Sequence, residues 1–325
     1  MRAEEARDEE PSMPEMLIGT ADGLYRGRLP GGSAAAGPAG GMNLERELEG
    51  WEVQALALDN RAWWGIANEE TILLCERPGS WEEVAVTPGA RLTCLLPRSP
   101  GLLVGAAEAH LLELRDGALQ PVGSFEEVDG RESWYTPWGG PPDTRSLSSD
   151  AAGALFANVH VGGIVRSLDG GESWRPTLPI DADVHQVLAH PERPGMVLAP
   201  AAVGLALSLD GGDSWSYETE GLHATYCRAV AASGDVVLVT ASTGPRGGQA
   251  AVYRRSLDDD AGFQRCRDGL PEWFSSNINT GCLAASGALA AFGTAEGTIF
   301  ASRDGGETWK LLAQDLPPVR AVTLA

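Results

Sequence analysis

Short apolar runs recur along the chain, each closed by Gly, Pro, Asp or Ser. Met16-Leu17-Ile18-Gly19-Thr20, Met196 to Ala202, Gly204 to Leu209 and Val319 to Ala325 are examples. Runs of this length between such breakers predict β-strands. They group in fours, named here A (inner) to D (outer), with B strands starting near Met16, Ala62, Leu102, Ala154, Met196, Val236 and Leu289. Seven groups of four strands predict a seven-bladed ring.

A motif sets the same period. Ser167-Leu168-Asp169-Gly170-Gly171-Glu172-Ser173-Trp174, Ser208-Leu209-Asp210-Gly211-Gly212-Asp213-Ser214-Trp215 and Ser302-Arg303-Asp304-Gly305-Gly306-Glu307-Thr308-Trp309 share the form Ser-X-Asp-Gly-Gly-X-Ser/Thr-Trp. The first two begin 41 residues apart and the next two 94 apart, or two periods of 47. A worn copy, Ser256 to Phe263, fills the gap. A period in the forties with strand-like flanks predicts propeller blades. Ser and Asp cap a tight turn by hydrogen bonds to backbone, the glycines permit positive φ, and the Trp packs under the turn. The motif aspartates therefore read as parts of the fold rather than as catalysts. The chain begins at a B strand and ends at an A strand, Val319 to Ala325, which predicts that the last strand completes blade one and removes a free sheet edge.

The expected architecture is thus an all-β, seven-bladed propeller over 16–325, preceded by a disordered acidic tail over 1–15. The stretch Gly31 to Gly41 reads as a flexible loop. A closed ring makes 325 residues one domain. The net charge of −21 speaks against nucleic acid and anionic membrane as partners. No apolar run approaches the length of a membrane span. Met1 to Pro11 lacks the pattern of a secretory signal, and five cysteines without metal or disulfide spacing fit reduced thiols, which points to the cytoplasm.

Alternating strand direction places the B–C and D–A loops on one face, the top. The A strands share an X-polar-X-aliphatic pattern whose polar members are Gln54, Arg91, Arg145, His185, Arg228, Thr280 and Arg320. Arginines at this position in so acidic a chain suggest an anion site, since guanidinium pairs bidentately with carboxylate or phosphate. The alternative is pairing with acidic side chains in the channel. His110, His160, His185 and His223 fall at top positions, and His160, His185 and His223 belong to neighbouring blades. They are candidate ligands of a divalent metal, or acid/base and hydrogen-bonding groups. Two long top loops carry aromatics: Trp134, Tyr135 and Trp138 in one, Trp273 and Phe274 in the other, which ends at Asn279. They either wall a ligand or plug the mouth as a lid core. Cys227, beside Tyr226 and Arg228, is a small buried core residue or an active thiol.

The motif resembles the Asp-box, or BNR repeat, of sialidases and of many non-catalytic propellers. The region from about Trp134 onward is similar to small bacterial and archaeal BNR-repeat propellers labelled glycosyl hydrolases or sialidase-like. A sialidase resemblance implies an arginine triad for a substrate carboxylate, which Arg145, Arg228 and Arg320 could imitate, and a tyrosine nucleophile, best matched by Tyr226. A glutamate beside that tyrosine is not evident. The chain also resembles the cyanobacterial photosystem II assembly factor, a seven-bladed Asp-box propeller, which implies a protein-binding scaffold. Three readings follow. The leading one is a pocket for a small anionic or carbohydrate ligand, lined by Arg145, Arg228, Arg320, Trp134, Tyr135, Trp138, Tyr226, Trp273, Phe274 and Asn279, with a metal on His160, His185 and His223. The others are a protein-interaction scaffold and a sialidase-like hydrolase.

Overall fold

A computed structural model describes residues 14–29, 42–59, 62–99, 101–179, 181–258 and 261–325. Among them are seven four-stranded antiparallel sheets, and one four-residue α-helix, Gly123–Glu126. The sheets stand around a channel walled by the inner strands. Strand starts lie within a residue of the expected grid: Glu15, Trp63, Leu102, Leu155, Val197, Val236 and Leu289. Residues 1–13 of the expected tail and the Gly31–Gly41 loop lie outside the described residues. The tail boundary needs correction. Glu15 opens the first strand, and its carboxylate pairs with Arg26 at 2.7 Å.

The ring closes as the terminal strand dictates. Val319–Leu324 is the inner strand of blade one and pairs antiparallel with Glu15–Thr20, Met16 facing Leu324 and Ile18 facing Val322. Sequence and packing agree here, because Met16, Ile18, Val322 and Leu324 all enter one core cluster with Phe292, Phe300 and Trp309 of blade seven. The core lies between adjacent blades rather than inside any one sheet. Phe292 stacks on Phe300 with centroids 5.2 Å apart and meets Trp309 edge-on at 5.0 Å.

The three Ser-X-Asp-Gly-Gly segments form nearly identical turns between third and fourth strands. In blade five, Gly212 N donates to Ser208 Oγ at 2.7 Å, Ser214 N donates to Asp210 Oδ1 at 2.8 Å, and Ser214 Oγ donates to Asp210 Oδ2 at 2.6 Å. Blades four and seven repeat these bonds through Ser167 and Asp169 and through Ser302 and Asp304. Gly211 and Gly212 both take positive φ, 71° and 94°, where a Cβ is disfavoured. The turns also staple blades together. Arg166 of blade four reaches Asp213 in the turn of blade five at 2.6 Å, and Arg254 of blade six reaches Gly305 O in the turn of blade seven at 3.3 Å.

A second repeated device sits on the inner strands. In five of them the register slips by one residue near the top, which leaves an extra residue in the inner strand: Gln54, Thr93, Arg145, Arg320, and in blade six the Arg228-Ala229 pair opposite Thr240. Such a β-bulge breaks strict alternation and re-aims a side chain. It explains how polar residues recur in otherwise apolar strands. It also corrects blade three, where Thr93 and not Arg91 occupies the slot. Arg91 lies before the strand and pairs with Asp143 at 2.7 Å.

Two outcomes follow. Deleting Val319–Ala325 should abolish the cooperative thermal transition and cause aggregation, because it bares the edge of Glu15–Thr20; a soluble deletion with one sharp calorimetric transition contradicts closure. Hydrogen bonds from Ser214 and Ser208 hold the Asp210 carboxyl down at about 2, below its unfolded value near 3.9. Its folded pKa is depressed, so its stabilisation is complete above about pH 4 and is lost as pH falls toward 2. Asp210→Ala should therefore melt below wild type at pH 7, with the gap narrowing from pH 4 to pH 2 in a series of melting curves. A gap independent of pH contradicts this.

Candidate functional site

Blades four, five and six build the most unusual part of the top mouth. Asp183, Val184 and His185 form an extended segment ahead of the inner strand of blade five. It is held by Ala202 N to Asp183 O at 2.9 Å and His185 N to Pro200 O at 2.8 Å. In extended backbone, residues i and i+2 share a face. Val184 therefore turns into the apolar core, while Asp183 and His185 turn together the other way. His160 follows the strand Leu155–Val159 of blade four and is fixed by its backbone N–H to Asp143 O at 2.9 Å. It meets the same carboxylate.

The ligand atoms of His160, Asp183 and His185 all lie within 4.8 Å of one another. His160 Nε2 is 2.9 Å and His185 Nε2 3.5 Å from Asp183 Oδ1. Neither approach has hydrogen-bond alignment: Asp183 Oδ1 and His185 Nε2 are buried without a hydrogen-bond partner. On its other side His185 Nδ1 lies 2.5 Å from Cys227 O. A carbonyl only accepts, so Nδ1 carries the proton. Burial pushes the pKa of both imidazoles down, against the opposing pull of Asp183.

Rings and guanidiniums continue the site. Trp138 packs on His160 with centroids 5.3 Å apart, and Tyr226 packs on His185 at 4.8 Å. Arg228 lies over the Tyr226 ring at 5.3 Å and donates to Pro245 O at 3.3 Å. Arg145 and Arg228 line a channel cavity of about 490 Å³ together with Gln54, Gln186, Asn279 and Thr280. Neither arginine has a carboxylate within ion-pair distance among the described residues, and Arg145 Nη1 and Arg228 Nε are buried without a partner. Burial and the neighbouring Arg228 push the Arg145 pKa down.

Other expected residues lie elsewhere. Arg320 does not join the two arginines: its guanidinium pairs with Glu52 at 2.8 Å at a half-exposed position, so the expected triad is not assembled. His223 does not join His160 and His185. Its Nδ1 is 2.6 Å from the Tyr253 hydroxyl, and its ring packs on Trp273 at 4.6 Å, in the outer part of blade six. Trp273 itself carries Arg265 over its face at 4.1 Å. Trp134 is only 5% exposed and packs with Phe125, while Phe274 is 9% exposed and meets Phe292 and Phe300 edge-on. These two are core, not wall, because their apolar area is worth more buried between blades than at the mouth. Tyr135 and Trp138 remain 60% and 68% exposed. Cys227 is buried, and burial pushes its thiol up to about 12, so it is not a nucleophile at neutral pH. Asp183 is the functional candidate that the sequence expectation lacked. The Asp-X-His spacing on an extended segment was the signal for it.

No family model matches the chain, and no curated protein matches it. Solved structures of propellers of both glycoside hydrolase and WD40 type resemble it. An ancestral GH74 enzyme superposes with TM-score 0.59 at 15% identity, over 84% of this chain and 38% of that one. The chain thus spans about two-fifths of that enzyme's length. YCF48 bound to D1 peptide gives 0.58 at 14% identity, over 92% of this chain and 89% of that one. The WD40 β-propeller domain of Doa1 gives 0.59 at 14% identity, over 82% and 83%. Such identities show the fold alone. No helix among the described residues is long and apolar enough to cross a membrane.

Arg145 costs stability where it stands, since a buried donor without a partner forfeits about 1–3 kcal/mol. Arg145→Met should therefore raise the melting temperature of the ligand-free protein by a stabilisation of that order. A clear fall in scanning calorimetry contradicts an unpartnered arginine.

Proposed function

We propose that this chain is a BNR-repeat, Asp-box propeller of the cytoplasm that binds an anionic small molecule or glycan fragment at its top mouth. One observation carries the reading. In a chain of net charge −21, Arg145 and Arg228 face one cavity and neither forms an ion pair among the described residues, the Asp143 carboxylate in its lining being taken by Arg91. Uncompensated guanidiniums at a channel mouth are costly, and an anionic ligand is the natural counter-charge. The repeat assignment is supported by three turns of one sequence and one hydrogen-bond pattern. Five free, buried cysteines fit a reducing compartment.

The cavity around the arginines offers neutral hydrogen-bonding groups from Gln54 and Asn279. A ligand with hydroxyls as well as a negative group suits that mixture. Trp138, 68% exposed, presents a ring face on which a sugar stacks. A protein partner is the second reading, favoured by the exposure of Tyr135 and Trp138, which suits an acidic peptide docking across the rim. The two readings share the arginines and differ in ligand size.

Calorimetric titration with a panel of uronic acids, sialic acid, sugar phosphates and acidic peptides tests the site. Arg228→Met should weaken the best-bound member by about 1.5–3 kcal/mol, the scale of a hydrogen bond to a charged group. Arg320→Met, already paired to Glu52, should leave it unchanged. Binding that ignores Arg228→Met, or no binding across the panel, overturns the reading.

A further inference from the structure

We propose that His160, Asp183 and His185 form a binding site for one divalent first-row transition cation, with zinc as the type. The argument is independent of the anion reading and rests on a conflict between lone pairs. His185 Nδ1–H donates to Cys227 O, so Nε2 of the neutral ring bears a lone pair. That lone pair lies 3.5 Å from Asp183 Oδ1, also electron-rich, and both atoms are buried with no hydrogen-bond partner. His160 Nε2 approaches the same oxygen at 2.9 Å without hydrogen-bond alignment. Three donor atoms converge within 4.8 Å of one another.

A cation placed among the three atoms satisfies them together. Metal–nitrogen bonds of about 2.0–2.1 Å in a tetrahedron separate neighbouring ligand atoms by roughly 3.3 Å. Two of the three separations, 2.9 and 3.5 Å, bracket that value, and the third lies within 4.8 Å. Two imidazoles and a carboxylate suit zinc and its first-row neighbours rather than magnesium or calcium, which prefer all-oxygen shells.

Features outside the cluster agree. The bond from His185 to Cys227 O orients the ring and fixes its tautomer, as the outer shell of a metal histidine does. The backbone bonds from His185 N to Pro200 O and from Ala202 N to Asp183 O hold both ends of the Asp183–His185 segment rigid. Asn158 Nδ2 adds a bond to Val184 O between them at 3.1 Å. Three protein ligands leave open positions on the cation, on a carboxylate still 31% exposed. Those positions suit water or an anionic ligand atom. His223, bonded to Tyr253, takes no part.

The test uses the full-length protein, stripped with a chelator and titrated with cobalt(II) and then zinc(II). One equivalent of cobalt should bind, with visible ligand-field bands of a four- or five-coordinate nitrogen-and-oxygen site that zinc quenches. Asp183→Asn, nearly isosteric, and His160→Gln should each weaken binding by roughly tenfold or more. His223→Gln and Arg320→Met should leave it unchanged, and reading cobalt binding with no anionic ligand present separates failure here from failure of the anion site. Circular dichroism confirms that each variant folds, and the wild-type titration stands without any variant. No saturable stoichiometric binding in the wild type overturns the proposal. So does binding that survives Asp183→Asn undiminished, or that depends on His223.

Discussion

The pairing of Val319–Leu324 with Glu15–Thr20 is the interaction on which the rest of the molecule depends. It turns a row of four-stranded sheets into a ring. Without it each inner strand would have no axis to face, and the free edge would invite association with other chains. Because the ring closes, inner strands converge, and whatever their upper ends display is concentrated in one mouth. The Asp-turn staples act at the opposite face, tying blade four to five and six to seven through Arg166 and Arg254.

The bulges convert that geometry into chemistry. An inner strand has apolar neighbours on both sides, so a polar residue in regular register would be buried in the inter-blade core at a cost of several kcal/mol. One extra residue per strand lets Gln54, Arg145 or Arg228 leave the core and enter the channel. Blade five departs from this scheme. There Gln186 lines the channel, and Asp183 and His185 turn toward His160. That departure creates the cluster of donor atoms beside the arginines. Arg145 and Arg228 line the channel cavity, and both act electrostatically on His160 of the cluster. Neither Arg145 nor Arg228 makes an ion pair among the described residues, and buried groups left without a partner cost stability.

Much of the fold was legible because its determinants are local. The turns depend on residues two and four apart, Ser208 with Asp210 and Gly212, and Asp210 with Ser214, so the motif shows them directly. The arginine pattern was legible for a similar reason, as polar residues stand out in apolar strands. What failed was long-range or lay in irregular backbone. Arg320 was paired by Glu52, 268 residues away, which no spacing reveals. Trp134 and Phe274 sit in loops without period, so nothing marked them as core while Trp138 stayed exposed. His223 lies in the loop before the inner strand of blade six, as expected, but its ring packs outward on Tyr253 and Trp273. Asp183 passed unnoticed as a loop acid, because its meaning comes from sharing a face with His185.

Crystals grown with zinc chloride and sodium selenate, with diffraction recorded at the zinc and selenium absorption edges, test the central claim most directly. The account predicts a zinc peak bonded to His160, Asp183 and His185, and a selenium peak beside Arg145 and Arg228. Anomalous maps with no zinc at the three donors and no selenate at the two arginines, in crystals that show both ions elsewhere, would contradict it.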